Sequence, residues 1–257
     1  MQRLDLLTVA ECQMDTWRHE AIARPYWRLY WNHTPGWSVH VDGRTLGLGP
    51  GQVLLVAPET VYTTSGIRRS RHFFIHFTHQ GGPGRPLPDI HTIPRDAALR
   101  ALLTLAKAYD RLHCSALVLH ALARLPASAW HRQSDAPIVH AAQQLGRRYL
   151  HRLVSNQELA RVAGMHVNAF IRRFRSETGE TPRHWHLRER IDAACLALDG
   201  DATVDEVSER FGFCDRHHFT RVFTRVRGIP PAAYRLSAAR VVASSNTGTA
   251  TRTAKTR

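Results

Sequence analysis

Long apolar segments are missing from this chain of 257 residues. No stretch approaches the ~18 uninterrupted apolar residues that a membrane-spanning helix needs. The N-terminus carries acidic residues early and has no continuous apolar core of the kind found in signal peptides. The sequence therefore predicts a cytoplasmic protein that makes no contact with a membrane.

Cysteine is scarce, with four residues in the chain, and no two of them form a Cys-x-x-Cys pair. This spacing is unlike that of a zinc site, a dithiol redox motif or a disulfide framework. No Ser-His-Asp, Cys-His or phosphate-loop arrangement stands out either. We therefore expect no catalytic residues, no metal, no cofactor and no enzymatic activity.

Lysine is nearly absent, yet the formal net charge is +14 because arginine is abundant. The basic excess is spread along the chain rather than confined to one arm. A basic surface favours polyanions, of which nucleic acid is the commonest. Charge alone is a weak indicator, because a basic proteome would give it too, so the residue patterns must decide.

Residues 1–90 have the pattern of a β domain. Short aromatic or β-branched segments at 27–31, 37–41, 53–56 and 72–77 are separated by turn signals of glycine, proline and aspartate. Evenly spaced short strands of this kind predict a sandwich or a small barrel.

Helical periodicity begins after this domain. Apolar residues recur at helical spacing within residues 91–130, which predicts two amphipathic helices. Most of these positions suit core packing, although the stripe from Leu99 to Ala123 also suits a seam between two copies of the chain. Residues 137–236 have a helical pattern, and residues 237–257 have the composition of a disordered tail.

An internal repeat is the most informative feature of the helical part. Ten positions of one copy recur in order in a second copy, at an offset of 48 residues that becomes 49 after the first shared glycine. The matched pairs include Gly164 and Gly212, Phe170 and Phe219, Arg172 and Arg221, Phe174 and Phe223, Gly179 and Gly228, and Trp185 and Tyr234. A match of this length is hard to obtain by chance, so the sequence predicts two copies of one helical unit.

Local signals give each copy the form of a helix-turn-helix unit. Ser155 and Glu158, like Thr203 and Glu206, have the spacing of a capping box at a helix start. A glycine suited to left-handed backbone geometry then ends the first helix. A phenylalanine pair at i and i+4 marks the inward face of the second helix.

A longer helix joins the two copies. Thr181 and Pro182 supply a cap and a first-turn proline for a helix that runs through His184 to Leu198. At 1.5 Å per residue, a helix of about 15 residues spans roughly 22 Å. It would hold the two units at a fixed separation, as the reading of two successive major grooves ~34 Å apart requires.

The second helix of each copy has a polar outer face. The outward positions are Asn168, Ile171, Arg172 and Arg175 in the first copy, and His217, Thr220, Arg221 and Arg225 in the second. Arginine and asparagine make paired hydrogen bonds to base edges, and threonine and isoleucine meet a thymine methyl group. The alternative is a pair of hairpins with a structural role only, but a purely solvated face more often mixes lysine and glutamate.

The second copy carries the sharpest resemblance to a known family. The segments GFCD at 212–215, FTRVF at 219–223 and GIPP at 228–231, with RIDAA at 190–194 in the joining helix, resemble the AraC family of transcription regulators. The resemblance covers about residues 137–236. It implies sequence-specific binding to double-stranded DNA, with RNA polymerase as a further partner, and it leaves open whether the protein is an activator or a repressor.

The resemblance also implies roles for individual side chains. Base reading falls to Asn168, Ile171 and Arg172 in one groove and to His217, Thr220 and Arg221 in the next. Phosphate contacts, which position a protein without reading sequence, fall to Arg175, Arg183 and Arg225. His217 and His218 stand where the family commonly has serine or glutamine, a departure that touches sequence preference and not the fold.

The first 90 residues are similar to the effector-binding module of the same family, a cupin-like β-barrel followed by helices. The segment from Gly49 to Pro58 carries this diffuse likeness, with Gln52 in place of the usual acid. Barrels of this kind can hold a small ligand inside. The candidate residues for a pocket that takes a sugar or an aromatic compound are Trp27, Arg28, Trp31, Trp37 and Tyr62, and the alternative for each aromatic is an ordinary place in the core.

The predicted fold class is α+β, with an N-terminal cupin-like β-barrel, a helical extension and a C-terminal all-α domain of two helix-turn-helix units joined by a linker helix. The main hypothesis is a regulator that responds to a small-molecule effector, and the sequence leaves open whether it forms a homodimer. The second is a cupin metalloenzyme, prompted by His40, His72, His76 and His79. However, His76 and His79 have the wrong spacing for alternation on a strand, and no glutamate lies near them. The third is an architectural DNA binder without an effector.

Overall fold

A computed structural model describes residues 3–14, 23–66, 69–80, 84–106, 110–132 and 137–236. These residues form two compact units, one that ends at His131 and one that begins at Arg132. The first contains sheets and two helices and the second is helical, so the predicted α+β class is confirmed. Every helix in this part of the chain is too short or too polar to cross a lipid bilayer. The predicted tail, 237–257, lies outside the described residues.

Ten strands lie in the described part of the chain. They are β1 (Arg3–Met14), β2 (Trp27–Asn32), β3 (Trp37–Val41), β4 (Arg44–Leu48), β5 (Gln52–Val56), β6 (Thr63–Gly66), β7 (Ser70–Gln80), β8 (Gly84–Pro86), β9 (Ile90–Pro94) and β10 (Trp130–Arg132). A five-stranded sheet has the order β1-β7-β2-β5-β9, a three-stranded sheet has the order β4-β3-β6, and β8 pairs with β10. Neighbouring strands in the two larger sheets run antiparallel.

Two helices follow the strands, α1 (Ala97–Ala106) and α2 (Arg111–Ala123), where the periodicity predicts them. Asp110 caps α2 by accepting hydrogen bonds from the backbone N–H groups of Leu112 and His113 at 2.9 and 3.1 Å. The buried sides of both helices pack against one face of the five-stranded sheet. Most of the apolar stripe therefore serves the core of this unit.

Strand β2 lies in the middle of the five-stranded sheet and is buried along its whole length. Because successive side chains of a strand point to opposite faces, the strand contributes to two cores. Trp27, Leu29 and Trp31 pack with the two helices on one face. Tyr30 packs on the other face, in the core between the five-stranded and three-stranded sheets.

The second unit consists of helices. They are α3 (Pro137–Arg148), α4 (Asn156–Val162), α5 (Val167–Thr178), α6 (Pro182–Leu198), α7 (Val204–Arg210) and α8 (Arg216–Arg227), and residues 231–236 are helical as well. The first copy of the repeat contains α4 and α5, the second contains α7 and α8, and α6 joins them. Thr181 caps α6 by accepting a hydrogen bond from the backbone N–H of His184 at 3.3 Å, as the sequence predicts.

The turns inside the two copies have the same backbone geometry. Gly164 and Gly212 both have a φ of +64°, in the left-handed region that favours glycine. In the first copy the N–H of Gly164 donates to the carbonyl of Arg161 at 3.1 Å, and that of Met165 donates to Ala160 at 3.0 Å. The second copy repeats both bonds at 2.9 and 3.0 Å. These two bonds define a Schellman helix end, so each first helix stops at the same kind of turn.

Aromatic rings fill the core of each copy. In the first copy, the ring of Phe174 lies 5.8 Å from that of Trp185 and 5.6 Å from the phenylalanine four residues before it. In the second copy, Phe223 lies 5.5 Å from Tyr234 and 5.5 Å from the phenylalanine four residues before it. All these rings are buried, as the i, i+4 spacing predicts.

Capping boxes begin α4 and α7, as predicted. Ser155 accepts from the backbone N–H of Glu158 at 3.2 Å, and the Glu158 carboxylate accepts from the N–H and the hydroxyl of Ser155 at 2.9 Å each. Thr203 and Glu206 repeat this arrangement. Glu158 also accepts a hydrogen bond from Arg152 at 2.7 Å. This bond and those of Ser155 lower the pKa of Glu158 from 4.5 to about 2.

Glu158→Gln should therefore destabilise the helical unit more than Glu206→Gln at pH 7. A carboxylate whose pKa is lowered on folding adds stability above its unfolded pKa, and this is lost as the pH falls through its folded pKa. For Glu158 the contribution is complete above about pH 4.5 and disappears toward pH 2. Urea unfolding at neutral pH and near pH 3 measures both variants, and the deficit of Glu158→Gln should shrink in acid. If both variants lose the same free energy of unfolding at pH 7, the hydrogen bond from Arg152 to Glu158 contributes no stability.

Candidate nucleic-acid interface

Helices α5, α6 and α8 present most of the predicted DNA-contacting side chains to solvent. Seven of the nine are exposed, namely Asn168, Arg172, Arg175, Arg183, His217, Arg221 and Arg225. The rotation of α5 and α8 is fixed by the buried phenylalanine pair on the inner side of each helix. Because both helices carry the pair at the same spacing, Arg172 and Arg221 occupy matched outer positions.

Ile171 and Thr220 correct the expectation that all the candidates face outward. Ile171 is half-buried and packs against the core of the first copy, because it lies next to Phe170 at the edge of the inner face. Thr220 is half-buried, and its backbone carbonyl accepts a hydrogen bond from the Thr224 hydroxyl at 2.7 Å. Both side chains therefore lie at the margin of the outer face rather than at its centre.

The candidate base-reading arginines differ from an adjacent arginine in ion pairing. Within the described ranges, Arg172 and Arg221 make no ion pair, whereas Arg173 pairs with Glu177 at 2.7 Å along α5. A guanidinium without a carboxylate keeps its donors for a ligand. The spacing from the phenylalanines predicts Arg172 as a DNA contact. The ion pair of Arg173 with Glu177 is an independent reason to prefer Arg172, because the guanidinium of Arg173 already has a partner.

A buried arginine on α6 holds the second copy together. Arg190 is 4% exposed, and its guanidinium donates to the carbonyl oxygens of Phe211 and Gly212, the latter at 3.1 Å. It also lies over the ring of Phe213, 4.4 Å from the ring centre. Burial lowers the pKa of Arg190. In the sequence, Arg190 stands out only as part of a family pattern, and no local signal predicts its structural role.

Ion pairs bind α6 to both copies. Arg227, the last residue of α8, donates to Asp192 in the middle of α6. Arg188 donates to the same carboxylate at 3.5 Å and to Glu180, which follows α5, at 2.7 Å. The network therefore connects the end of α5 with the end of α8 through the joining helix.

The five predicted effector residues do not line one pocket, and that expectation is corrected. Trp27 and Trp31 pack with α1 and α2 on one face of the five-stranded sheet. Trp37 and Tyr62 lie in the core between the two larger sheets. Arg28 alternates with the β2 tryptophans and lies 4.9 Å from the centre of the Tyr62 ring. Because side chains alternate along β2, the five predicted residues fall into two groups. Arg28, Trp37 and Tyr62 lie on the side of the five-stranded sheet that faces the three-stranded sheet.

Of the histidines considered as metal ligands, His40 lies on β3 in the three-stranded sheet, whereas His72, His76 and His79 lie on β7 in the five-stranded sheet. His40 on β3 is hydrogen-bonded to Thr45 and Ser65 at 3.0 and 2.7 Å. His72 on β7 is hydrogen-bonded to Asn32 at 2.7 Å. Over the described ranges, no three histidine, cysteine, aspartate or glutamate side chains are placed to hold a metal ion.

Comparisons with known proteins show that the helical unit is similar to helix-turn-helix domains. A family model described as a helix-turn-helix domain matches residues 159–237. The MmsAB operon regulatory protein of Pseudomonas aeruginosa is 34% identical over 90 residues, which are 35% of this chain and 29% of that protein. The transcriptional activator NphR of a Rhodococcus species is 31% identical over 201 residues, which are 74% of this chain and 58% of that protein. The chain thus spans less than two thirds of either relative.

A solved structure has a similar fold over most of the chain. It is that of ToxT from Vibrio cholerae with an unsaturated fatty acid bound, and the match covers 92% of this chain and 95% of that one. The TM-score is 0.55 and the sequence identity is 10%, so the likeness concerns the fold alone. It supports an N-terminal sheet region followed by a helical domain.

Proposed function

We propose that the chain is a member of the AraC family of transcription regulators and that it reads operator DNA with α5 in one major groove and α8 in the next. In this proposal α4 with α5 and α7 with α8 are two helix-turn-helix units. The joining helix α6 has 17 residues and spans about 25 Å. With a unit at each end, that length suits two grooves ~34 Å apart.

The matched arginines Arg172 and Arg221 carry the proposal. Each is exposed on a helix whose opposite side is buried, and neither has an ion-pair partner in the described ranges. Two such guanidinium groups at equivalent positions of a duplicated unit suit paired hydrogen bonds to guanine. We assign further base contacts to Asn168 and His217, with Ile171 and Thr220 at the groove margin. Phosphate contacts are assigned to Arg175, Arg183 and Arg225.

For the N-terminal unit we propose a cupin-like effector-binding module, which makes the protein a ligand-responsive regulator rather than an enzyme. ToxT, which has a similar fold, holds a small molecule. We propose a homodimer through α1 and α2, where Leu105, Leu112 and Leu119 are 47%, 76% and 43% exposed. An activating role is proposed by analogy with the activator NphR, and RNA polymerase is the partner that such a role would require.

Loss of either matched arginine should weaken operator binding strongly. Arg172→Ala and Arg221→Ala each remove a base contact worth ~1–3 kcal/mol, which is roughly a 5- to 150-fold loss of affinity. Each variant should also relax sequence preference at one base pair. The measurement is a fluorescence anisotropy titration of full-length protein against an operator selected from a random DNA library by the unmutated protein.

Arg173→Ala is the matched control, because Arg173 neighbours Arg172 but is paired with Glu177. It should lose little affinity and no base preference. Arg225→Ala should instead weaken all sequences alike and flatten the dependence of log affinity on log salt by about one. If Arg173→Ala and Arg172→Ala lose the same affinity without a change in base preference, α5 does not read bases and the proposal is wrong.

A further inference from the structure

The charged groups that join α8 to α6 are largely hidden from solvent. The side chain of Arg227, the last residue of α8, is 5% exposed, and it donates to the Asp192 carboxylate, which is 25% exposed. Arg188 donates to the same carboxylate at 3.5 Å and is 19% exposed. Water and salt screen an ion pair on the surface, whereas a partly buried pair is screened much less. These bonds therefore fix the end of α8 against the middle of α6.

The same network reaches the end of α5. Arg188 donates at 2.7 Å to Glu180, which follows α5 and has a side chain that is 15% exposed. Burial lowers the pKa of Arg188, but Glu180, Glu189 and Asp192 raise it by more, so its pKa lies above the usual value. The attraction of these carboxylates thus exceeds the cost of burying the guanidinium. Arg188 and Asp192 lie one turn apart on α6, and together they connect α5 with α8.

The start of α8 is held as well. Arg190 on α6 donates to the carbonyl oxygens of Phe211 and Gly212 in the turn before α8. The backbone of His151, between α3 and α4, lies so near Gly212 that a Cβ there would overlap its carbonyl oxygen. Both ends of α8 are therefore fixed to elements outside the second copy. A helix that is held at both ends cannot turn or slide freely relative to α6.

The internal repeat separates the Arg227 contact from the fold of each copy. Features that stabilise one copy by itself recur in the other, as the capping boxes, the turn glycines and the buried rings do. Arg227 does not recur, because its matched position in the first copy is Thr178. The Thr178 hydroxyl donates to the backbone carbonyl of Phe174 at 2.7 Å, within its own helix. Arg227 therefore serves the connection between the copies rather than the helix-turn-helix unit itself.

We propose that Arg227 and Asp192 are positioning residues for DNA recognition, which set the separation and the rotation at which α5 and α8 meet the duplex. The protein then discriminates operators by the number of base pairs between the two half-sites as well as by the bases within them. One added base pair moves the half-sites apart by ~3.4 Å and turns one relative to the other by roughly 35°. Because α8 is fixed to α6, it cannot follow that displacement while the network is intact. This inference rests on the proposed function, in which α5 and α8 read successive grooves.

Operators of altered spacing test the proposal. An operator selected from random DNA by the unmutated full-length protein is compared, by fluorescence anisotropy titration, with two versions that have one base pair inserted or deleted between unchanged half-sites. The unmutated protein should bind the altered operators about 30-fold more weakly, because one helix loses its base contacts. Arg227→Met keeps the apolar stem of the side chain but not the charge, and it should reduce this ratio about tenfold.

The ratio of affinities separates positioning from a structural role alone. A variant that only loses stability weakens binding to all three operators by one factor, so an unchanged ratio for Arg227→Met would overturn the proposal. Glu177→Gln is the matched control, because it breaks an ion pair that lies within α5 and joins nothing to α6. It should keep the ratio of the unmutated protein. If it reduces the ratio as much as Arg227→Met does, the loss of any ion pair has this effect and the proposal is wrong.

Asp192→Asn tests the same contact from the other side. It should also reduce the ratio, and it replaces Arg227→Met if that variant shows no cooperative unfolding. The double variant should reduce the ratio no further than Asp192→Asn alone, because both residues act in one network, and additive losses would contradict this. A selected operator without two half-sites would overturn the proposed function and this inference with it. Unchanged ratios on an operator with two half-sites would overturn this inference alone.

Discussion

Gly212→Ala is expected to destabilise the helical unit by about 3 kcal/mol or more. The residue has a φ of +64°, which costs an L-residue ~1–2 kcal/mol. A Cβ at this position would also overlap the carbonyl oxygen of His151 and lie 3.0 Å from its carbonyl carbon and 3.2 Å from the Cα of Arg152. These are backbone atoms, so they cannot swing aside as a side chain would.

Relief of that overlap would disturb the second copy further. The carbonyl of Gly212 accepts a hydrogen bond from the buried guanidinium of Arg190 at 3.1 Å. A shift of the turn by a few tenths of an ångström away from His151 would strain this bond, and a buried cation without its acceptor is costly. We therefore expect a lower urea midpoint and loss of operator binding at moderate temperature.

Gly164→Ala is the matched control. Gly164 occupies the equivalent turn with the same φ of +64°, but a Cβ there would meet nothing within 4 Å. Only the conformational cost remains, which is the same ~1–2 kcal/mol. Urea unfolding of both variants, followed by the circular dichroism signal of the helical unit, separates the conformational cost from the cost of the overlap with His151. Similar midpoints for the two variants would mean that the contact with His151 does not constrain the turn.

The contrast between the two glycines marks how far the sequence could predict the fold. The repeat, both capping boxes, both glycine turns and the inward phenylalanines were predictable, because each depends on residues within about four positions of one another. Gly164 and Gly212 are identical by these local signals. Their difference comes from the chain segment around His151, which lies some 60 residues away from Gly212 in sequence, and no local pattern reports it.

The same reasoning explains what was missed at the candidate sites. Residue type alone predicts the effector set, but alternation along β2 and the pairing of distant strands decide which side chains share a face. Residue type also indicates Arg28, yet its ionisable neighbours among the described residues come from strands and loops far apart in sequence. Likewise, spacing alone placed Ile171 on the outer face, whereas its contacts place it at the edge of the core.

Phe223→Ala is expected to cost about 3–5 kcal/mol, because the ring is fully buried and its removal leaves a cavity between α8 and the helical residues 231–236. Phe223→Leu keeps most of the volume and should cost less than about 1.5 kcal/mol. Leu153→Ala, at a position that is 49% exposed in the same unit, should stay within about 0.5 kcal/mol. Urea unfolding of the four proteins gives the comparison.

The equivalent change in the first copy makes this a test of mechanism as well as of packing. Phe174→Ala opens the same kind of cavity against Trp185. If the two copies each read one groove, Phe223→Ala at a temperature where the chain remains folded should lose base preference only in the half of the operator read by Arg221. Phe174→Ala should lose it in the half read by Arg172. Loss of preference in both halves from either variant would contradict independent reading, since the defect would then pass through α6.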